Sequence, residues 1–436
     1  MSKQIVFIIV VVLTIAVFSF TTARVISFFK LTKPFPISDF GKRFFIMLKV
    51  AFAQTKIFRF PIVGFLHAMV FWGFIVIAIG SIEIIFDGIL GTERLFSFLG
   101  GFYNLIIALG DFFGWFISFA IIIFLVRRLF INIKRFNGIE MKTISKVDAS
   151  VALTMILLLM ISLIGMNALY VAMQHLEPKG WYPVSKFIAP AFAEMEIEKL
   201  HFWYEFNWWS HIVLIFIFAN ILPYSKHFHV FMSVPNVFLS RLEPLGYLPN
   251  MPNITEEVKL MLDPDAAFSE PAETGEDPER FGVLDVEDVN WKNYMDSLAC
   301  TQCGRCTSVC PANITGKKLS PRKIMVDLRA RMNEKGSGLV KKGKDFSDNK
   351  SLIRDYISEE ELWACTSCNA CAMECPININ HPTLIVDMRR YLVMEEASAP
   401  AMLNAMFSNI ENNGAPWQYS AEDRMLWAED LFVGKN

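Results

Sequence analysis

Two short stretches carry the residues best suited to chemistry: CTQCGRCTSVCP, residues 300–311, and CTSCNACAMECP, residues 365–376. Both have the spacing C-x2-C-x2-C-x3-C-P, and together they hold all eight cysteines of the chain. Three thiolates so closely spaced wrap one corner of a [4Fe–4S] cubane, and the fourth, turned outward before the proline, reaches the other cluster. One cluster is therefore expected on Cys300, Cys303, Cys306 and Cys375, and a second on Cys365, Cys368, Cys371 and Cys310. Two four-cysteine zinc sites are the competing reading. Zinc sites usually come as separated C-x2-C pairs, so the doubled triplet favours iron–sulfur.

Histidines supply the second chemistry. The apolar stretch WWSHIVLIFIFANILPYSKHFHVF, residues 208–231, carries His211, His227 and His229. On one helix, His211 and His229 would be five turns and about 27 Å apart and would point the same way; Pro223 is the residue that could kink it. An imidazole on a membrane span is costly and usually functional, and its commonest use in a helical bundle is axial ligation of haem. His67, in RFPIVGFLHAMVFWGFIVIAIG, lies about one and a half turns into another apolar span. It matches His229 in depth, so His67 and His229 are expected to hold a haem b. A second haem on His211 would need His175 or His201, the outer-side candidates. His227 reads as an interfacial residue.

These residues need a scaffold that crosses a bilayer. The chain has 436 residues, is 53% hydrophobic and 14% aromatic, and has a mean hydropathy of +0.38. That exceeds an ordinary soluble protein and fits a membrane protein with a soluble part. Five stretches are long and apolar enough to span: roughly 5–29, 61–86, 109–130, 150–173 and 207–230. The first could be a signal peptide, but its apolar run passes Arg24 to Phe29 without a small-residue cleavage site. Basic residues crowd the loops after the first and third spans, from Lys30 to Arg59 and from Arg127 to Lys146. The positive-inside rule then puts the N-terminus outside and everything after the fifth span in the cytoplasm. There the compartment is reducing, which disfavours disulfides. FGKRFFIMLKVAFAQTKIF reads as a helix on the inner surface, and LFSFLGGFYNLIIAL as a similar segment on the outer side.

The fold class expected is all-α: a five-helix transmembrane cytochrome b bundle (1–231), an acidic linker (232–284), an α-helical two-cluster ferredoxin domain in the cytoplasm (285–396) and a C-terminal tail (397–436). The linker rests on twelve acidic residues between Thr255 and Asn290, against Lys259 and Arg280. SPRKIMVDLRARMNE, between the cysteine runs, predicts a helix capped by Ser320, with Pro321 in its first turn and Ile324, Met325, Leu328 and Met332 as its apolar stripe. Residues 317–350 carry eleven Lys or Arg against four acids. That excess reads first as a solvated face, second as a docking patch for an acidic partner, and last as a nucleic-acid surface; no nucleic acid is expected.

GFLHAMVFWGF and WWSHIVLIFIFANILPYSKHFH resemble the cytochrome b (gamma) subunit of respiratory nitrate reductase and its relatives in heterodisulfide reductase complexes. The resemblance implies haem ligation by His211 and His229 in the last span. It implies two histidines ten residues apart in the second span; His67 matches the first, and Ile77 stands where the second would be. The cysteine region looks like the C-subunit ferredoxin of heterodisulfide reductase. In relatives a cysteine-rich region with CCG motifs often follows. Here NIENNGAPWQYSAEDRMLWAEDLFVGKN looks like its lead-in, and no cysteine follows Cys375, so the region is expected as a separate cysteine-rich subunit or else absent; Met425, Leu426, Leu431 and Phe432 read either as its docking face or as an ordinary packed tail.

These readings converge on an electron-transfer subunit of an oxidoreductase complex. Two [4Fe–4S] clusters and haem b would link a cytoplasmic partner, such as an electron-transfer flavoprotein, to menaquinone or another quinone in the lipid bilayer. A membrane-anchored iron–sulfur sensor or scaffold is the alternative. Glu83, near the outer end of the second span, reads as an interfacial carboxylate.

Overall fold

A bilayer offers no partner to a bare N–H or C=O, so apolar stretches must satisfy their backbone internally. They do so here as long helices. The computed structural model describes residues 3–174, 178–263, 280–343 and 346–432. Its first part contains α1 (Lys3–Phe29), a short α2 (Phe40–Met47), α3 (Pro61–Leu90), α4 (Gly101–Leu129), α5 (Thr143–Met173), α6 (Ile197–Ile221) and α7 (His229–Phe238). Five helices are long and apolar enough to cross a membrane. They face outward with apolar side chains such as Val12, Leu13, Phe20, Phe119 and Ile161, as a lipid solvent requires. Inward, Phe7, Ile117, Ile121, Leu163, Trp208 and Ile212 form the common core. Phe7 lies on Gly88, where a β-carbon would come within 2.5 Å of its ring, so α1 and α3 approach closely there. Among the described residues there is no strand, only isolated bridges, and the fold is all-α.

The helices differ in detail from the sequence expectation. The apolar run before the third span is no separate surface segment: α4 starts at Gly101 and absorbs FYNLIIAL, leaving only a 3-10 turn at Leu95–Leu99. The last span is also not one rod through His229. Pro223 lacks the N–H that would bond back along the helix, and α6 ends at Ile221. The chain passes through two 3-10 turns, with Ser225 extended, before α7 starts at His229. The five-turn phase between His211 and His229 therefore does not hold. The boundary drawn at residue 231 also falls inside α7.

The chain forms two compact units: residues 1–249 with 285–383, and residues 250–284 with 384–436. The first unit includes both cysteine runs, so the soluble helices are built onto the membrane bundle. Lys33 N–H donates to the Val289 carbonyl at 2.8 Å, and Trp291 N–H returns to the Lys33 carbonyl at 3.0 Å. Asn236 of α7 is fully buried; it donates to Asp296 and to the Ile377 carbonyl, each at 3.0 Å. The second unit contains α8 (Pro252–Leu262) and a helix over Ala401–Asn413, and in it Val283 N–H donates to the Asp387 carbonyl. Met425, Leu426 and Leu431 of the tail are exposed. Part of the expected acidic linker, 264–279, lies outside the described residues.

The helix expected from SPRKIMVDLRARMNE spans Pro321–Lys342, with Pro321 in its first turn and Ile324, Met325, Leu328 and Met332 all at most 1% exposed. Ser320 stands at its N-cap position without bonding the helix; its hydroxyl meets Thr307 and donates to Glu140 instead. The basic excess of 317–350 is not simply a solvated face. Arg331 is fully buried and forks onto Asp285 and Asp348, and Lys335 pairs with Asp285 and Glu287. Arg322 meets Glu140 at 2.6 Å, with both side chains 1% exposed.

That last pair joins the loop before α5 to the soluble helices. Burial pushes the Glu140 carboxyl up, but Arg322 beside it and the Ser320 hydroxyl outweigh burial and hold it below the ordinary carboxylate value. A depressed carboxyl stabilises the fold above its unfolded pKa, and that contribution is lost as pH falls through its folded pKa. The joint should thus weaken in acid, below the usual carboxylate range. Glu140→Ala strands a buried guanidinium and should cost about 3–5 kcal/mol. Thermal unfolding of the detergent-purified chain checks this, with the Glu140→Leu, Arg322→Met pair expected to lose less than the single change.

Candidate metal and haem sites

The two cysteine runs repeat their backbone as well as their letters. In the first, Gln302 and Gly304 have φ of 58° and 73°; in the second, Ser367 and Asn369 have 53° and 59°. These are the residues before and after the second cysteine in each copy. Left-handed residues at such positions turn successive N–H groups toward one concavity, a nest suited to an anion such as a thiolate-ligated cluster. Each run then enters a short helix, Arg305–Ser308 or Ala370–Glu374, and its last cysteine is extended. Gly304 is also a contact: a β-carbon there would stand 2.3 Å from the Arg135 carbonyl.

Tertiary folding mixes the runs. Cys300, Cys303, Cys306 and Cys375 line one cavity, with Pro376, Ile377 and His381 on its wall. Cys310, from the first run, is within electrostatic reach of Cys365 and Cys368, and Cys371 interacts with Cys365, Cys310 and Cys368. Each quartet thus draws three thiols from one copy and the fourth from the other. Burial, followed by the neighbouring thiols, pushes Cys371 and Cys375 up to about 12. Thiols so placed ionise only with a polycation among them, and the donor set fits iron. Among the described residues no three His, Cys, Asp or Glu side chains converge as a single metal ion requires. Cys306 also interacts with Cys371, so the quartets are neighbours, and Cys368 is exposed.

The first quartet is docked on the turn that leads into α3. Arg305 donates to the carbonyls of Lys56 and Ile57 at 2.8 and 3.4 Å and stacks over the Phe60 ring. Lys56 donates to the Cys375 carbonyl at 3.2 Å, and Arg59 pairs with Glu374 at 2.6 Å. Sequence reasoning used Lys56 and Arg59 only for orientation and passed over Arg305. Its position inside the cysteine run was the available signal.

His67 is on α3 just beyond this turn. It interacts with both His229 and Arg305, and its Nδ1 is buried without a partner. His229 Nδ1 is 3.2 Å from the Lys226 carbonyl. A carbonyl only accepts, so Nδ1 carries the proton and Nε2 is left as the free base, the arrangement in which imidazoles bind metals. The expected pair is therefore brought together, and the residues suit a haem iron.

His211, 1% exposed, has its Nδ1 3.0 Å from the Leu159 carbonyl and 3.1 Å from Ser162 Oγ, with Nε2 unpartnered. His201 does not face it: both are on α6, about 15 Å apart along the axis, and His201 is exposed. His175 lies outside the described residues. His227 approaches the Ser225 hydroxyl at 3.1 Å and the His229 ring at 5.8 Å. Glu83 is 2% exposed and accepts from Phe96 N–H at 2.8 Å and from the Tyr103 hydroxyl at 3.3 Å.

Residues 299–379 match the family described as a 4Fe-4S dicluster domain. Over nearly its whole length the chain is similar to two curated proteins. It is 28% identical over 412 residues to a probable iron-sulfur-binding oxidoreductase, FadF, of Bacillus subtilis, covering 87% of this chain and 54% of that protein. It is 27% identical over 413 residues to an EtfAB:quinone oxidoreductase of Syntrophomonas wolfei, covering 88% and 53%. The chain therefore spans about half the length of these relatives. Over 107 residues it is 31% identical to one component of a ferredoxin/F(420)H(2)-dependent CoB-CoM heterodisulfide reductase of Methanosarcina acetivorans, covering 24% and 52%. No solved structure matches. The chain is thus a helical protein with five apolar helices long enough to cross a membrane and a 4Fe-4S domain, similar to iron–sulfur oxidoreductases.

Proposed function

We propose that this chain relays electrons between a cytoplasmic redox partner and the quinone pool of the inner membrane, through two [4Fe–4S] clusters and haem b. The observation that carries the reading is the docking of the first cysteine quartet on the turn into α3, where Arg305 is within electrostatic reach of both Cys303 and His67. Bound clusters and haem supply one-electron steps. The chain's own part is to fix distances and fields. Cys300, Cys303, Cys306 and Cys375 hold the cluster nearer the membrane, and Cys310, Cys365, Cys368 and Cys371 hold the outlying one, where Cys368 opens to a partner. His67 and His229 hold haem b, with the Lys226 carbonyl setting the tautomer of His229. Arg305 and Lys56 place positive charge beside the first quartet and favour its reduced, more negative state.

The relative named for EtfAB and quinone supports a flavoprotein donor and a quinone acceptor, such as menaquinone. The similarity to one subunit of a heterodisulfide reductase supports a multi-subunit partnership, in which the expected cysteine-rich subunit would be the partner. The basic loops support a cytoplasmic location for the cluster region. The deciding measurement is iron, acid-labile sulfide and haem per chain, expected at about eight, eight and at least one. It is paired with reduced-minus-oxidised spectra of membranes given quinol. A b-type band that responds to quinol is expected. A clustered protein without such a band would leave an anchored sensor or scaffold and overturn the relay.

A further inference from the structure

One feature of the first unit is unused by this relay. A cavity of about 410 Å³ lies where the inner end of α1, the Pro223 break and the soluble helices meet. That volume falls within the range of about 300–1,000 Å³ that holds small ligands. Neither His67 nor His229 lines it, so it is distinct from the histidine pair. We propose that it binds the ring of a membrane quinone. The inference rests on the quinone reading above and names the place where the quinone is held.

Three observations argue for that ligand class. The first is position. Gln302, between Cys300 and Cys303, is on the wall, and Arg329, also on the wall, interacts with Cys300. Thr21, Val25 and Phe28 of α1 also line it, and the outer face of that helix is apolar along its length. A flat ring in the cavity would touch the first quartet's loop while its isoprenoid tail left along α1 into lipid.

The second is shape and apolarity. Val25, Phe28, Ile144, Ile221 and Leu298 give the cavity apolar walls suited to a ring. The third is the polar inventory, which decides between a quinone and an anionic headgroup. Of the three cations on the wall, Arg24 is stacked 5.3 and 5.5 Å from the Phe28 and Tyr224 rings and donates to Asn333, and Lys226 is turned onto Ser145. Asp148 offsets one positive charge. The uncommitted donors are the guanidinium of Arg329, which makes no hydrogen bond to a described residue, and the Tyr294 hydroxyl. Tyr294 is 1% exposed, and its oxygen has no partner. On the membrane side the Thr21 and Tyr224 hydroxyls are 3.4 Å apart. Donors contributed by separate elements of the lining suit a neutral ring with two carbonyl acceptors; a phosphate would need the committed cations released.

The test uses the full chain in detergent and a menaquinone analogue with one isoprenoid unit, measured by equilibrium dialysis. Cluster absorption and iron per chain are recorded on the same samples. Val25→Trp fills the cavity, and Tyr294→Phe removes a free donor while keeping the ring that packs on Phe29. Affinity should fall at least about tenfold for Val25→Trp and about threefold to tenfold for Tyr294→Phe, with iron content unchanged. Unchanged affinity in both variants, or no binding by the wild-type chain, overturns the proposal. So does displacement of the analogue only by phosphatidylglycerol vesicles, which would assign the cavity to an anionic lipid headgroup. Loss of affinity with clusters intact supports the site, whereas a chain without iron sinks the relay by a separate readout.

Discussion

Cys375→Ala is expected to abolish the same iron–sulfur cluster as Cys303→Ala, although the two residues belong to different cysteine runs. Cys310→Ala should likewise match Cys368→Ala. The reason is the exchange of fourth thiols: Cys375 lines the cavity of Cys300, Cys303 and Cys306, and Cys310 interacts with Cys365 and Cys368. Each single change should lower iron from about eight to about four per chain. The surviving cluster, seen by electron paramagnetic resonance after reduction, should be identical within each pair and different between pairs. Combining Cys303→Ala with Cys375→Ala should remove no more iron than either alone, whereas Cys303→Ala with Cys368→Ala should remove nearly all. If Cys375→Ala instead spares the cluster that Cys303→Ala destroys, each run holds its own cluster and the exchange is wrong.

The second large effect concerns the histidines. His67→Ala and His229→Ala should each remove the b-type absorption band, because a low-spin haem between two imidazoles needs both. Haem per chain should fall by about one in either variant, with the cluster signals kept, since neither histidine lines the cavity of the first quartet. His211→Ala should leave this band in place. His211 is on α6, beyond the break at Pro223, and its Nδ1 is committed to the Leu159 carbonyl and the Ser162 hydroxyl. An unchanged spectrum in His67→Ala would sink the pairing. A spectrum lost equally in His211→Ala would place the haem deeper in the bundle.

How much of this was legible beforehand follows the range of the forces involved. The thiol spacing and the prolines are local, and a cubane accepts few spacings, so both quartets could be written from the sequence. Hydropathy is also local: a bilayer forces any such stretch into a helix, and five apolar stretches became five long helices. The stripe of Ile324, Met325, Leu328 and Met332 needed only the helical period, and all four are buried. The rest depended on residues far apart in the chain. Glu140 meets Arg322, and Asp285 meets Arg331, only once the soluble helices close on the membrane loops. A count of charges along 317–350 therefore gave the wrong environment for its buried cations. The break at Pro223 could be suspected, but a proline both bends and ends helices, and the packing of α7 against the soluble helices selects the second outcome. The sequence by itself determined the donor atoms and the apolar rods. Only the tertiary structure decided which buried cations meet which carboxylates, where the last span breaks, and where a cavity remains beside that break, because those are set by long-range closure, which no local period encodes.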